Sequence, residues 1–284
     1  MAKPHPVLRV VPRMTLQSQQ PEQGGDASGH NAGAPHSSSR YALIDALRGF
    51  ALVWMTVFHF CFDLMRFGYL KADFYHDPFW LVQRSAIVSL FLLCAGMGQA
   101  VAWAQGQSWQ RFGRRWGQVA ACALLVSLST YWLDPRSYIY FGVLHGMALM
   151  LLLTRLAAVW GLTRPQTLWW LGAGILALYN ALPWLHTQWP ILEFLNTKPW
   201  DWLGLISRKP VTQDHVPLVP WLGVMCWGVA LGHWLQDRHG RCLRRPLPVA
   251  LRSLALLGRW SLSYYMLHQL VLMGGLTWWA WLLR

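Results

Sequence analysis

From Tyr41 to Met65 the chain is apolar for long enough to cross a bilayer, and yet it carries Asp45, Arg48, His59 and Asp63. A run of about 20 apolar residues in lipid must be helical, because only hydrogen bonds within the segment can satisfy its backbone there. Spacings of three, eleven and four residues keep the four ionisable groups on one narrow stripe, with Leu52, Met55 and Thr56 between them, given about 3.6 residues per helical turn. Charge at membrane depth is costly. The stripe therefore faces a protein interior or a wet cavity.

The rest of the chain supports this reading. Of 284 residues 55% are hydrophobic and only 12% charged, and 20 are tryptophan, a balance that excludes an ordinary soluble domain. Further apolar runs occur at about 79–104, 116–133, 138–160, 166–184, 217–236 and 257–282. With 42–65 they predict an all-α, polytopic membrane helix bundle of about seven spans, and several tryptophans fall near the ends of the runs, where indoles prefer to sit. Residues 1–39 are rich in Pro, Gln, Gly, Ser and His and hold no apolar stretch, so they read as a disordered cytoplasmic tail ahead of a membrane domain over 40–284. An N-in, C-out arrangement puts fifteen Lys and Arg on the inner side and seven outside, the asymmetry that retention of positive charge produces. The segment Leu185–Val216 then lies outside, with the Trp, Pro and polar content of a cap over an external cavity.

The net charge of +13 is divided among short loops, with no nucleic-acid-binding motif, so no nucleic acid is expected as a partner. Cys61, Cys94, Cys122 and Cys226 lie in apolar runs and Cys242 in a basic loop, without metal-ligand spacing, and read as reduced packing residues. No metal site is expected. A homo-oligomer is compatible with the sequence.

Counted from residue 42 at a rise of about 1.5 Å per residue, His59 lies roughly 25 Å deep, in the outer half. Asp63, four residues on, is spaced to hold one ring nitrogen of His59 and leave the other as a general base. A structural pair between helices is the alternative. Asp45 and Arg48 are spaced as an ion pair, with Arg48 also available to an anionic ligand. Arg111, Arg114 and Arg115 crowd one helix entrance and suit phosphate oxygens, although retained inner charge alone would place arginines there. His145 and His268 share the depth of His59, which points to convergence on one cavity. His76 stands above them in an external stretch. Three histidines also admit a haem or metal reading, but HExxH and CxxCH are missing. A transporter or flippase-like carrier, with His59 and Asp63 as a proton relay, would use the same stripe, though no inverted repeat is evident.

The stretch Ile44-Asp45-Ala46-Leu47-Arg48-Gly49-Phe50-Ala51 with His59 behind it resembles the first helix of the transmembrane acyltransferase superfamily. That group includes acyltransferase-3 proteins and the catalytic domain of heparan-α-glucosaminide N-acetyltransferase, with its bacterial relatives. The run Gly258-Arg259-Trp260-Ser261-Leu262-Ser263-Tyr264-Tyr265-Met266-Leu267-His268-Gln269 is similar to the last helix of those relatives. The resemblance implies acetyl transfer from cytoplasmic acetyl-CoA to a hydroxyl or amine of a sugar or glycan at the outer face of a bacterial-type inner membrane. It makes His59 the base, Arg111 and Arg114 an RxxR pair for the donor, and His76 a second candidate base, because the heparan enzyme carries its essential histidine nearer that position. Tyr140, His145, His268 and Gln269 are the candidate contacts to acceptor or thioester oxygen.

Overall fold

The structure, a computed structural model, describes residues 41–243 and 247–282. The expected tail at 1–39 lies outside the described residues, as do Arg244, Arg245 and Arg284 of the charge count. Eight α-helices follow in order: α1 Ala42–Arg66, α2 Pro78–Ala104, α3 Trp109–Leu133, α4 Val143–Val159, α5 Pro165–Gln188, α6 Leu218–Leu243, α7 Val249–Arg259 and α8 Ser261–Leu282. Their ends follow local chemistry. Asp77 caps α2 by accepting from the Phe79 amide at 2.9 Å, with Pro78 in the first helical position. Gly106 and Gly161 take positive φ just past α2 and α4, a backbone state that side chains disfavour.

Five described helices, α1, α2, α3, α5 and Leu218–Arg238 of α6, are long and apolar enough to cross a membrane. The expected run at 138–160 begins as helix only at Val143, which leaves 17 residues in α4. The expected run at 257–282 is broken at Trp260 into α7 and α8. The third run is longer than its apolar part: the helix begins at Trp109, seven residues earlier, where Ser108 caps it at the Arg111 amide.

Inside the bundle α6 packs on α2 and α5, while α1 packs on α2, α7 and α8. These contacts are backbone-close at glycine. A Cβ on Gly258 would stand 1.8 Å from the Asp45 carbonyl oxygen, and one on Gly49 would stand 1.9 Å from that of Leu254, so α7 lies directly on the N-terminal part of α1. Gly96 and Gly228 allow the same approach between α2 and α6, the small-residue contact that lets membrane helices gain dispersion energy. Helix α3 differs: it packs chiefly on α4 and buries only Phe112 and Ala123. Exposed Leu124, Leu125, Leu128, Trp132 and Leu133 give it a broad apolar outer face.

The segment between α5 and α6 is sewn onto the connection between α3 and α4. Thr212 Oγ1 donates to the Tyr138 carbonyl at 2.8 Å, the Val216 amide to Phe141 at 3.1 Å, and Asp214 accepts from the Val143 amide at 2.7 Å. The expected cap is thus an ordered strap, containing 3₁₀ turns at Pro190–Asn196 and Asp201–Leu203.

Candidate active site

Helices α1 and α8 are joined by three side-chain contacts in register. Thr56 Oγ1 and the Tyr264 hydroxyl are 2.8 Å apart, His59 Nδ1 and His268 Nε2 are 2.8 Å apart, and Gln269 donates to both oxygens of Asp63 at 2.9 and 3.0 Å. The tautomers follow from the partners. Nδ1 of His268 lies 2.7 Å from the Tyr265 carbonyl, which can only accept, so that nitrogen carries hydrogen. Neutral His268 then accepts at Nε2 from the Nδ1–H of His59. Nε2 of His59 is left with its lone pair, the arrangement a general base needs. His268 is buried and stacks on Tyr264, which fixes its plane.

Two expectations need correction here. Asp63 does not hold the His59 ring: the carboxylate is engaged by Gln269, and His268 from another helix takes the orienting place. A neighbour four residues away on the same helix competes poorly when a buried imidazole faces the ring from α8. His145 does not join the pair either. Its Nε2 lies 3.1 Å from Ser127 Oγ, whose own hydrogen goes to the Ile139 carbonyl at 2.6 Å, so His145 ties α4 to α3.

The remaining candidates spread along the molecule. Arg48 donates to Asp45 at 2.8 Å and to the Cys94 carbonyl at 3.3 Å, which binds the N-terminal part of α1 to α2. Arg111, Arg114 and Arg115 are exposed at the start of α3. Beneath them Arg155 is buried, donates to the Gln107 carbonyl at 2.5 Å and lies over the rings of Trp109 and Phe112 at 5.1 and 5.5 Å. Tyr140 donates its hydroxyl to buried Asp201 of the strap. Burial, reinforced by that carboxylate, holds the Tyr140 phenol well above its ordinary range, so it remains a donor.

His76 is exposed in the connection between α1 and α2, with Nδ1 2.9 Å from Asp73 Oδ2. The other oxygen of Asp73 accepts from the amides of Tyr75 and His76 at 2.9 and 3.0 Å. These bonds, the Tyr75 amide first, hold the Asp73 carboxyl below its ordinary range. The carboxylate partner expected for His59 thus belongs to His76. Phe74 ties this connection to Phe58 and Phe62, which flank His59 on α1.

Asp73, Arg155, Asp201 and the Tyr265 carbonyl escaped the sequence reading. Asp73 stands three residues before His76 and could have been found by spacing. Asp201 and Tyr140 are sixty-one residues apart, and no local pattern connects them. Cys61, Cys94, Cys122 and Cys226 are free thiols, Cys94 and Cys226 buried. Among the described residues no group of three or more His, Cys, Asp or Glu is placed to hold a metal ion.

No curated protein and no solved structure matches the chain. The family described as heparan-alpha-glucosaminide N-acetyltransferase, catalytic, matches residues 40–270, which include every candidate residue above. By that match, and by its five long apolar helices, the chain belongs to the heparan-α-glucosaminide N-acetyltransferase catalytic family, a family of membrane acetyltransferases.

Proposed function

We propose that the protein transfers the acetyl group of cytoplasmic acetyl-CoA to a hydroxyl or amine of a sugar or glycan at the outer face of a bacterial-type inner membrane. The N-in, C-out arrangement belongs to this reading. It puts the exposed Arg111, Arg114 and Arg115 on the donor side, as forked partners for phosphate oxygens. His59 lies in the outer half, and the strap covers the acceptor side.

The observation that carries the proposal is the chain from His59 through His268 to the Tyr265 carbonyl. It leaves the Nε2 lone pair of His59 free to accept a proton and holds the ring still. Nε2 takes the proton from the acceptor O–H or N–H as that oxygen or nitrogen bonds to the thioester carbon. The tetrahedral oxyanion collapses with breakage of the C–S bond, and the departing sulfur takes the proton from His59, giving free CoA and the acetylated acceptor. In this reading Asp63 and Gln269 are positioning residues that lock α8 to α1.

The Asp73–His76 pair supports a second assignment of the base, because the carboxylate holds Nδ1–H of the ring and leaves the Nε2 lone pair to take a proton. Labelled acetyl transfer from acetyl-CoA, measured in membranes with extracted glycans and lipids as acceptors, separates the two. Loss of transfer in His59→Ala with retention in His76→Ala supports His59, and the reverse supports His76. Absence of transfer above empty membranes in the unaltered protein defeats the proposal.

A further inference from the structure

Arg84 lies in the second turn of α2, and the site above leaves it unused. Two neighbours on the helix fix its direction. Ile87, three residues on, is buried with Leu52 and Met55 of α1, and Tyr265 of α8 packs against that cluster. Val88, four residues on, packs against a second cluster, which contains Val216 at the end of the strap and is flanked by Val143 of α4. Residues three and four apart share a helix face, so Arg84 faces the space between the α1–α8 pair and the strap.

Its level follows from the register of α1 and α2. Trp54 donates to Gln83 at 2.8 Å, and the rings of Phe58 and Trp80 meet at 5.9 Å, so the two helices run antiparallel. Helical side chains lean toward the N-terminus of their own helix. The Arg84 guanidinium therefore leans toward Pro78 and comes level with the turn from Trp54 to Phe58, and the His59 ring leans back onto that same turn.

The strap closes the other side of this space. Asp214 Oδ2 accepts from the Val143 amide at 2.7 Å, and a Cβ on Gly142 would stand 2.5 Å from the same oxygen, so α4 holds the carboxylate tightly. The charges of Arg84 and Lys209 both bear on Asp214, whose own charge reaches Tyr265. Tyr265 thus joins two features, because its carbonyl holds His268 while its side chain lies in the field of Asp214. Lys209 stands at the open rim, and partial burial, reinforced by the Arg84 charge, holds its ammonium below its ordinary range. Among the described residues neither Arg84 nor Lys209 has a side-chain hydrogen bond or an ion pair. Two cations face one carboxylate. Their mutual repulsion is a cost that an anion seated between them removes.

We propose that Arg84 and Lys209 are specificity-determining residues, which admit acceptors bearing a carboxylate or phosphate group near the hydroxyl or amine to be acetylated. The guanidinium offers that group a forked pair of donors and the ammonium a point charge. Asp214 balances one of the two cations, so a single negative charge completes the site. The inference rests on the acetyl-transfer reading and adds to it a charge requirement on the acceptor.

Lys209 is a built-in reporter. Full-length protein in phosphatidylcholine nanodiscs is reductively methylated with formaldehyde and a borane, and each lysine is read by peptide mass spectrometry. The probes are methyl glucuronide, methyl glucoside 6-phosphate and neutral methyl glucoside. Either charged probe at saturation is expected to slow methylation of Lys209 about tenfold and leave Lys71 unchanged, while the neutral glucoside has no effect. Arg84→Gln is expected to raise the half-protecting concentration about tenfold, the scale of one lost charge-assisted contact, and Arg84→Lys less. Unchanged Lys209 labelling with both charged probes overturns the assignment, as does equal protection by the neutral glucoside. Protection that comes from phosphatidylglycerol in the nanodisc and ignores the sugars also overturns it, since the site would then hold a lipid headgroup. Acetyl transfer on the same preparation separates the two claims: transfer with unprotected Lys209 removes the charge requirement and keeps the activity, whereas protection without transfer keeps the anion site and removes the activity.

Discussion

Nδ1 of His59 donates to Nε2 of His268 at 2.8 Å, and the hydrogen on the far nitrogen of His268 is committed to the Tyr265 carbonyl at 2.7 Å. Orientation can therefore be separated from packing by substitution. The amide oxygen of His268→Gln can still accept from His59, while His268→Ala cannot. Loss of the base in His59→Ala is expected to cost about 10²–10⁴ in kcat. His268→Ala should fall toward the lower end of that range with the KM for acetyl-CoA unchanged, and His268→Gln should recover part of it. Steady-state kinetics in proteoliposomes decide the matter; equal losses in the Gln and Ala variants would remove the orienting role.

The Asp63–Gln269 contact makes a prediction about stability. Gln269→Leu leaves a buried carboxylate without its donor, at a cost of about 1–3 kcal/mol, and more if the group stays charged. Replacing both partners, as Asp63→Leu with Gln269→Leu, should cost less than the sum of the single changes, because no orphaned charge remains. Thermal unfolding in detergent across the four proteins tests this, and simple additivity would mean that the two residues act independently.

The sequence made the helical architecture and the polar stripe legible, since both rest on periodicity and on the cost of charge in lipid. It brought His59 and His268 to one depth but not into contact, because depth follows from counting along each helix whereas contact depends on how α8 is rotated. The pairing of Asp63 with His59 failed for a related reason: spacing along one helix says which groups share a face, and Gln269 enters from another. The break at Trp260 was hidden by continuous hydrophobicity on both sides of it. The ties of the strap through Thr212, Asp214 and Asp201 join segments too far apart for any local pattern.

Backbone contact between α1 and α7 leaves no room for side chains at Gly49 and Gly258. A methyl group on Gly258 would stand 1.8 Å from a carbonyl oxygen and 2.9 Å from the Gly49 nitrogen, and backbone atoms cannot swing aside as side chains do. Gly258→Ala is expected to cost at least the roughly 1–3 kcal/mol of an overpacked core, and Gly258→Leu to abolish folding. A Cβ at Gly117 meets nothing within 4 Å, so Gly117→Ala on α3 is the matched control. Size-exclusion chromatography of the detergent extract should show a monodisperse peak for the control and aggregate for Gly258→Leu; a monodisperse Gly258→Leu would mean that α7 does not lie on α1 as described.

His215 gives the strap its own pH dependence. The strap pairs His215 with Phe141 in a parallel bridge, and burial holds the imidazole below its ordinary value, with Asp201 opposing and Lys209 adding to the effect. The unfolded chain takes up a proton near about pH 6.5, and the folded chain resists it. This contribution to stability is complete above that pH and is lost as pH falls through it toward the lower folded value. Asp214 works in the opposite sense, since burial raises its carboxyl and the folded state takes up its proton first as pH falls. The melting temperature in detergent should therefore drop between pH 7.5 and 5.5. His215→Gln should shrink that drop, and Asp214→Asn, whose oxygen can still accept from the Val143 amide, should widen it at the acidic end. An acid-induced drop of the same size in His215→Gln would place the responsible group elsewhere.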